Sequence, residues 1–194
     1  MSTTIYPDLR ICFWSVLKCG STTMSRLFGT SPHWMSGNHT QQDYGDDWTH
    51  FAVVRDPVDR WVSGLNTVRK IEGEKRSKGF DFAKYLDAKL AEMRERGKLW
   101  TGDYNSHLQP QYLSLPTDRH VTLFPLERIA TIPAWLESLG VELAGKLPHE
   151  RRTHPLQHQM AREALTDADR QMILAYYHQD VDLYRRAVAS EVLI

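Results

Sequence analysis

The segment "VLKCGSTT", residues 16–23, joins an apolar run to a run with helical spacing. The preceding stretch "RICFWSV" (10–16) is short, apolar and aromatic, which is typical of a buried strand. The following stretch "STTMSRLFG" (21–29) predicts a short helix that ends at Gly29. A strand, a tight turn and a helix in this order form the basic unit of an α/β fold.

The turn itself has the composition of an anion-binding site. Backbone N–H groups at the start of a helix have no partner within the helix, and the helix dipole adds partial positive charge there. Gly20 lets the backbone approach a ligand closely, and Lys18 supplies a full charge. The hydroxyls of Ser21, Thr22 and Thr23 are further donors. These features predict a phosphate site. The alternative is an ordinary helix start with hydroxyl caps and a surface lysine.

A second strand and turn follow in the chain. "THFAVVR" (49–55) predicts a strand, and "DPVDRWVSGLNTVRKI" (56–71) predicts a helix. Asp56 suits the N-cap of this helix. Pro57 suits its first position, where the missing N–H costs nothing.

Arg55 ends this second strand, at the edge where α/β sheets bind their ligands. Ser63 lies about two helical turns further and faces roughly the same side. A guanidinium and a hydroxyl there predict a second phosphate clamp. The alternative for Arg55 is a surface ion pair with Asp59. A surface ion pair between Arg60 and Asp56 is the other alternative to a phosphate clamp at this turn.

The remaining segments complete an α/β pattern. Strands that alternate with helices predict one domain over residues 1–194, with a central, mostly parallel sheet flanked by helices. The further predictions are a charged loop at 70–80, a packing helix at 81–98, a strand within 120–129, a helix at 132–141, a basic loop at 147–159 and a long helix at 166–189. We expect Thr166 to cap this last helix and a break in it near Asp180–Tyr184.

The bulk composition excludes several classes of protein. Lys+Arg and Asp+Glu balance at 24 each, whereas a general nucleic-acid binder is usually basic. No apolar stretch is long enough for a membrane-spanning helix, and the N-terminus does not resemble a signal peptide. The two cysteines, Cys12 and Cys19, show no metal-binding spacing, so we expect free thiols, no metal and a cytoplasmic location.

The two predicted phosphate sites resemble those of the sulfotransferases. K-x-G-x-T-T after one strand and R-D-P-x-x-R-x-x-S after a later strand are similar to the two motifs of that family. The resemblance implies a P-loop-like α/β fold that binds 3′-phosphoadenosine 5′-phosphosulfate, the sulfuryl donor. The 5′-phosphosulfate would be bound by Lys18, Gly20, Ser21, Thr22 and Thr23, and the 3′-phosphate by Arg55 and Ser63.

Three further stretches resemble the carbohydrate sulfotransferase branch: "HLQPQ" (107–111), "FPLERI" (124–129) and "YYHQDVDLY" (176–184). This resemblance implies a small-molecule or glycan hydroxyl as acceptor. "HERRTH" (149–154) stands where the family closes a basic loop over the nucleotide, which makes Arg152 a candidate for donor binding. The membrane anchor and lumenal disulfides usual in that branch are not found, so its secretory location does not carry over.

Sulfuryl transfer is an in-line displacement governed by positioning and charge stabilisation, as phosphoryl transfer is. Lys18 is the candidate that stabilises the leaving group. A histidine suits the role of general base, and His39 and His107 are the candidates. The carboxylates of Asp43 and Asp47 are alternatives. His107 and Gln111 are expected to line the acceptor pocket, unless "HLQPQ" is only a helix end stopped by Pro110.

Two other functions remain open at this point. A P-loop nucleotide kinase would need the order G-x-x-x-x-G-K-[ST] and a magnesium-binding aspartate, but Lys18 precedes Gly20 here. A nucleotide-binding domain without catalytic activity would retain both phosphate sites and lack acceptor-dependent turnover. The sequence indicates neither the oligomeric state nor the acceptor.

Overall fold

The structure is a computed structural model of the 194-residue chain. Its strands are β1 Ser2–Tyr6, β2 Ile11–Ser15, β3 Met35–Gly37, β4 Thr49–Val54 and β5 Thr122–Pro125. Its helices are α1 Ser21–Phe28, α2 Pro57–Glu74, α3 Phe82–Arg96, α4 Asn105–Leu108, α5 Ile132–Ser138, α6 Pro155–Glu163, α7 Asp167–Tyr176 and α8 His178–Ala189. The described residues are 2–29, 35–37, 44–45, 47–74, 81–99, 101, 105–143 and 155–190.

The chain divides into two compact units, which are described in turn. The first consists of residues 1–55, 111–150 and 182–194, and the second of residues 56–110 and 151–181. No helix in the described ranges is long and apolar enough to cross a membrane.

The first unit contains a five-stranded sheet in the order β3-β1-β2-β4-β5. The strands β2, β4 and β5 are parallel neighbours, with Phe13 opposite Phe51 and Val53 opposite Phe124. The N-terminal strand β1 runs antiparallel to both β2 and β3. Four of the five strands therefore share one direction, which confirms the predicted α/β class with a mostly parallel sheet.

Aromatic side chains form the centre of the core in the first unit. The rings of Phe13 and Phe51 on neighbouring strands have centroids 5.1 Å apart, and Phe51 lies 5.1 Å from Trp135 of α5. Phe28 of α1 packs 5.2 Å from Phe13. Because aromatic pairs at such distances add to the burial of apolar area, they anchor α1 and α5 to the sheet. The turn between β2 and α1 therefore has rigid elements on both sides.

The second unit is helical. The long helix α2 packs against α4, α6 and α7, and α3 packs against α6. Of the five residues at helical spacing that predict a buried face on α3, Tyr85 is only half-buried and the other four are buried, namely Phe82, Leu86, Leu90 and Met93. The guanidinium of Arg94 on α3 bonds the buried carboxylate of Asp169, which also completes a capping box with Thr166 at the start of α7.

Several predicted boundaries are wrong for residues that the structure describes. The loop predicted at 70–80 begins later, because α2 continues to Glu74. The loop predicted at 147–159 ends earlier, because α6 begins at Pro155. The break in the last helical stretch falls at Tyr177, which separates α7 from α8, and not within 180–184. The strand β1 was not predicted, because its short "STTIY" run is weakly apolar.

Candidate active site

The turn that follows β2 has an unusual backbone. Lys18 has φ 68° and Gly20 has φ 78°, so two residues in the turn occupy the left-handed region. The N–H of Cys19 between them donates to the carbonyl of Val16 at 3.3 Å. This conformation turns the chain directly from β2 into α1, which begins at Ser21. The lysine of the motif therefore lies at the carboxyl end of a central strand.

The start of α1 leaves backbone amides outside the hydrogen-bond ladder of the helix. Its N-cap is Gly20, and no side chain caps the helix. The first helical bond runs from the N–H of Met24 to the carbonyl of Gly20 at 3.0 Å. The amides of Ser21, Thr22 and Thr23 precede this bond and belong to the positive end of the helix dipole. The alternative of a helix start capped by a hydroxyl is therefore wrong.

Glycine is required at position 20 for two reasons. Its positive φ strains any L side chain. A Cβ there would also lie 2.8 Å from Cδ1 of Ile129 and 3.0 Å from Cδ1 of Leu126. Both neighbours belong to the segment that follows β5, the strand on the far side of β4 from β2, so the turn packs against that segment. Glycine therefore lets the turn pack closely against these two side chains.

Arg55 reaches the same turn from the neighbouring strand. It follows Val54, the last residue of β4, and β4 is parallel to β2. Its Nη1 donates to the carbonyl of Lys18 at 3.4 Å. The structure therefore brings Arg55, the arginine of the second predicted clamp, to the turn of the first predicted clamp at one edge of the sheet.

Gln111 connects these two segments from within the core. Its side chain is fully buried. Its Oε1 accepts from the N–H of Arg55 at 2.9 Å, and its Nε2 donates to the carbonyl of Arg55 at 2.8 Å. The thiol of Cys19 donates to the same Oε1 at 3.0 Å. The prediction that Gln111 lines the acceptor pocket is wrong, because its side chain is fully buried and bonds Arg55 and Cys19.

A family model described as "Sulfotransferase family" matches residues 1–185. The chain belongs to the sulfotransferase family. No curated protein and no solved structure matches the chain. Membership makes the protein a transferase that moves a sulfuryl group, and the match covers residues of both compact units.

Two predicted site residues of this sulfotransferase lie in the second unit. Ser63 is half-buried on α2, and its carbonyl accepts from the hydroxyl of Thr67. His107 is half-buried on α4. The carbonyl of His107 packs against Gly64, where a Cβ would lie 2.5 Å from that oxygen. Glycine next to Ser63 therefore allows α4 to approach α2 at backbone distance.

Arg60 has a structural position in the same unit. It is 1% exposed and donates to the carbonyls of His107 and Gln109. Asp56 uses its carboxylate to cap α2, where Oδ1 accepts from two backbone N–H groups. The alternative of a surface pair between Arg60 and Asp56 is therefore wrong. Asp59, the alternative partner of Arg55, forms an ion pair with Arg162 at 3.2 Å.

Four candidate site residues remain. Three of them, His39, Asp43 and Arg152, lie outside the described residues. Asp47 is described, and its carboxylate pairs with the guanidinium of Arg10. Within the described ranges, no group of three or more His, Cys, Asp or Glu side chains is arranged to bind a metal ion.

Both cysteines are free and buried. Burial raises the pKa of the Cys12 thiol to about 12, and the nearby charge of Arg119 only partly opposes this effect. Because a nucleophilic cysteine reacts as the thiolate, Cys12 is an inert thiol of the core at neutral pH. Cys19 contributes to the site through its hydrogen bond to Gln111.

Proposed function

We propose that this sulfotransferase transfers the sulfuryl group of 3′-phosphoadenosine 5′-phosphosulfate to a carbohydrate hydroxyl. One observation carries the proposal. The guanidinium of Arg55 contacts the carbonyl of Lys18, so two cationic segments lie together at adjacent strand ends. A donor with phosphate groups at both ends of one nucleoside suits two such neighbouring anion sites.

The residues of the turn fit the 5′ end of this donor. Lys18 supplies charge, and the amides that precede Met24 supply backbone donors to phosphosulfate oxygens. The hydroxyls of Thr22 and Thr23 add donors near the helix start. Arg55 suits the 3′-phosphate because a guanidinium binds phosphate through two parallel N–H groups. Ser63 is assigned to the same phosphate from its place in the sequence motif alone.

The chain supplies the groups that an in-line displacement needs. The acceptor hydroxyl attacks sulfur while the bond from sulfur to the bridging oxygen breaks, and negative charge grows on that oxygen. We assign the stabilisation of this charge to Lys18, because it supplies a full positive charge at the turn. His39 and His107 are the proposed alternatives for the base that takes the hydroxyl proton, because imidazole accepts protons near neutral pH.

The carbohydrate acceptor rests on the three stretches that resemble the carbohydrate branch. Arg152 keeps its proposed contact with the donor because "HERRTH" (149–154) stands where the family closes a basic loop over the nucleotide. The buried free thiols Cys12 and Cys19 support a reducing compartment, so we propose a cytoplasmic location.

Calorimetric titration with 3′-phosphoadenosine 5′-phosphate, without magnesium, tests the donor site. We expect Lys18→Ala and Arg55→Ala each to weaken binding by about 10- to 100-fold, because each removes a charge-assisted contact. Arg185→Ala is the matched control, since this arginine is exposed and pairs with Asp182 on α8. It should bind like the wild type.

Two outcomes would overturn the proposal. A folded wild type that does not bind the bisphosphate has no donor site of this kind, and a magnesium-dependent transfer from a nucleoside triphosphate would then favour the kinase alternative. Tight binding without sulfation in a screen of sugar acceptors would instead favour a nucleotide-binding domain without activity.

A further inference from the structure

We propose that Gln111 is a positioning residue that sets the separation between the two phosphate-binding segments. It does so by bonding the main chain of Arg55 and the turn at Cys19 with one carboxamide. This inference rests on the donor site proposed above and assigns a role to a residue that touches neither phosphate.

The strand β4 ends one residue before Arg55. The paired register of this strand ends at Val54, opposite Pro125, so Arg55 lies beyond the ladder. The carboxamide of Gln111 bonds both the N–H and the carbonyl of Arg55, at 2.9 and 2.8 Å. It therefore replaces a neighbouring strand at this residue and holds the backbone from which the guanidinium extends.

Gln111 also bonds the turn that follows β2. The same Oε1 accepts the thiol hydrogen of Cys19 at 3.0 Å, and Cys19 lies between Lys18 and Gly20. The side chain of Gln111 thus bonds residues of both predicted phosphate-binding segments. The guanidinium of Arg55 adds a direct contact to the carbonyl of Lys18 at 3.4 Å. The main chain of Arg55 is thereby connected to the turn through Gln111, and its side chain bonds the turn directly.

The burial of Gln111 makes its two bonds to Arg55 important for stability. The loss of its carboxamide removes a hydrogen-bond partner from both the N–H and the carbonyl of Arg55. We expect the strand end to shift in response. A ligand that spans both clamps depends on their separation, whereas a ligand that occupies one clamp does not.

The test compares a ligand with two phosphates and a ligand with one. Wild type and Gln111→Met are titrated with 3′-phosphoadenosine 5′-phosphate and with adenosine 5′-monophosphate. We expect the variant to bind the bisphosphate about tenfold more weakly and the monophosphate less than about twofold more weakly. Leu136→Ala, which removes a buried side chain of α5, is the control for general destabilisation and should preserve the wild-type ratio of the two affinities.

Gln111→Glu provides a second readout if the methionine variant does not fold. Burial raises the pKa of a carboxyl group, and only the protonated acid can donate to the carbonyl of Arg55. The bisphosphate affinity of this variant, divided by that of the wild type at each pH, should rise as the pH falls from about 8 to about 6. A merely structural role predicts no such recovery specific to the bisphosphate.

The outcomes separate this inference from the proposed function. Equal effects of Gln111→Met on both ligands, or a flat pH profile for Gln111→Glu, overturn the positioning role while the donor site remains. Failure of the folded wild type to bind the bisphosphate overturns both. Selective loss for the bisphosphate together with recovery at low pH supports both.

Discussion

Gln111 in the first unit and Arg60 in the second are both buried polar side chains that bond the main chain. Gln111 satisfies one N–H and one carbonyl of Arg55. Arg60 donates only, to the carbonyls of His107 and Gln109. A neutral amide suits a strand end, where donor and acceptor groups alternate, and a cation suits a helix end, where carbonyls accumulate. The kind of main-chain group that needs a hydrogen-bond partner thus determines which type of side chain is buried beside it.

Tyr177 completes the arrangement around Arg60. Its hydroxyl donates to the carbonyl of Leu108, so three consecutive carbonyls at the end of α4 accept from side chains. The guanidinium carbon of Arg60 lies 5.3 Å from the centre of the Tyr177 ring, at cation–π distance. Burial raises the pKa of Tyr177, so its hydroxyl remains a donor across the physiological range. A four-residue helix is stable here because its end is capped from outside.

The largest expected effect is the loss of Arg60. Arg60→Met keeps most of the side-chain volume and removes both bonds from a buried guanidinium to the main-chain carbonyls of His107 and Gln109, so we expect the free energy of unfolding to fall by about 4 kcal/mol. Urea denaturation of wild type and variant measures the difference. Arg162→Met is the control, because this arginine is exposed and its ion pair with Asp59 should contribute less than about 1 kcal/mol. Equal losses in the two variants would show that Arg60 does not cap α4.

Gly20 in the first unit and Gly64 in the second differ in what surrounds them. Gly64 faces the carbonyl of His107, which is main chain, at 2.5 Å from the position of a Cβ. Gly20 faces the methyl ends of two side chains that can rotate away, although its φ is positive. We expect Gly64→Ala to lower the free energy of unfolding by about 3 kcal/mol and Gly20→Ala by about 2 kcal/mol. Thermal and urea unfolding measure both, and the reverse order would contradict this packing argument.

The smallest expected effect is the pH dependence from Asp169. The bond from Arg94 lowers the pKa of this carboxyl from about 3.8 to about 2. The pair therefore stabilises the folded state fully above pH 4, and the contribution disappears as the pH falls from about 4 to about 2. Because Arg94 is half-exposed, we expect Asp169→Asn to cost only about 1 kcal/mol at pH 7.

The pH series has its own control. Asp167→Asn changes an exposed carboxylate in the same first turn of α7. It should leave the unfolding free energy at pH 7 nearly unchanged. If Asp169→Asn and wild type lost stability in parallel between pH 4 and pH 2, the ion pair would not be the source of the pH dependence.

The fold could be predicted from the sequence where an element depends on residues that are close together in the chain. The apolar runs before Lys18 and Arg55 are strands β2 and β4, and the capping residues Asp56 and Thr166 begin the helices expected of them. Such signals depend on residues within a few positions of each other. The strand β1 was missed because it owes its place to pairing with β2, and its own sequence is hardly apolar.

The sequence by itself determined that the chain is an α/β protein with a glycine turn after one strand and an arginine at the end of another. Only the tertiary structure decided what joins them. Gln111 is 56 positions from Arg55, and Arg60 is 47 positions from His107, yet each pair is hydrogen-bonded. No local propensity encodes such a partner, because a buried backbone group must be satisfied by whichever side chain the packing brings to it.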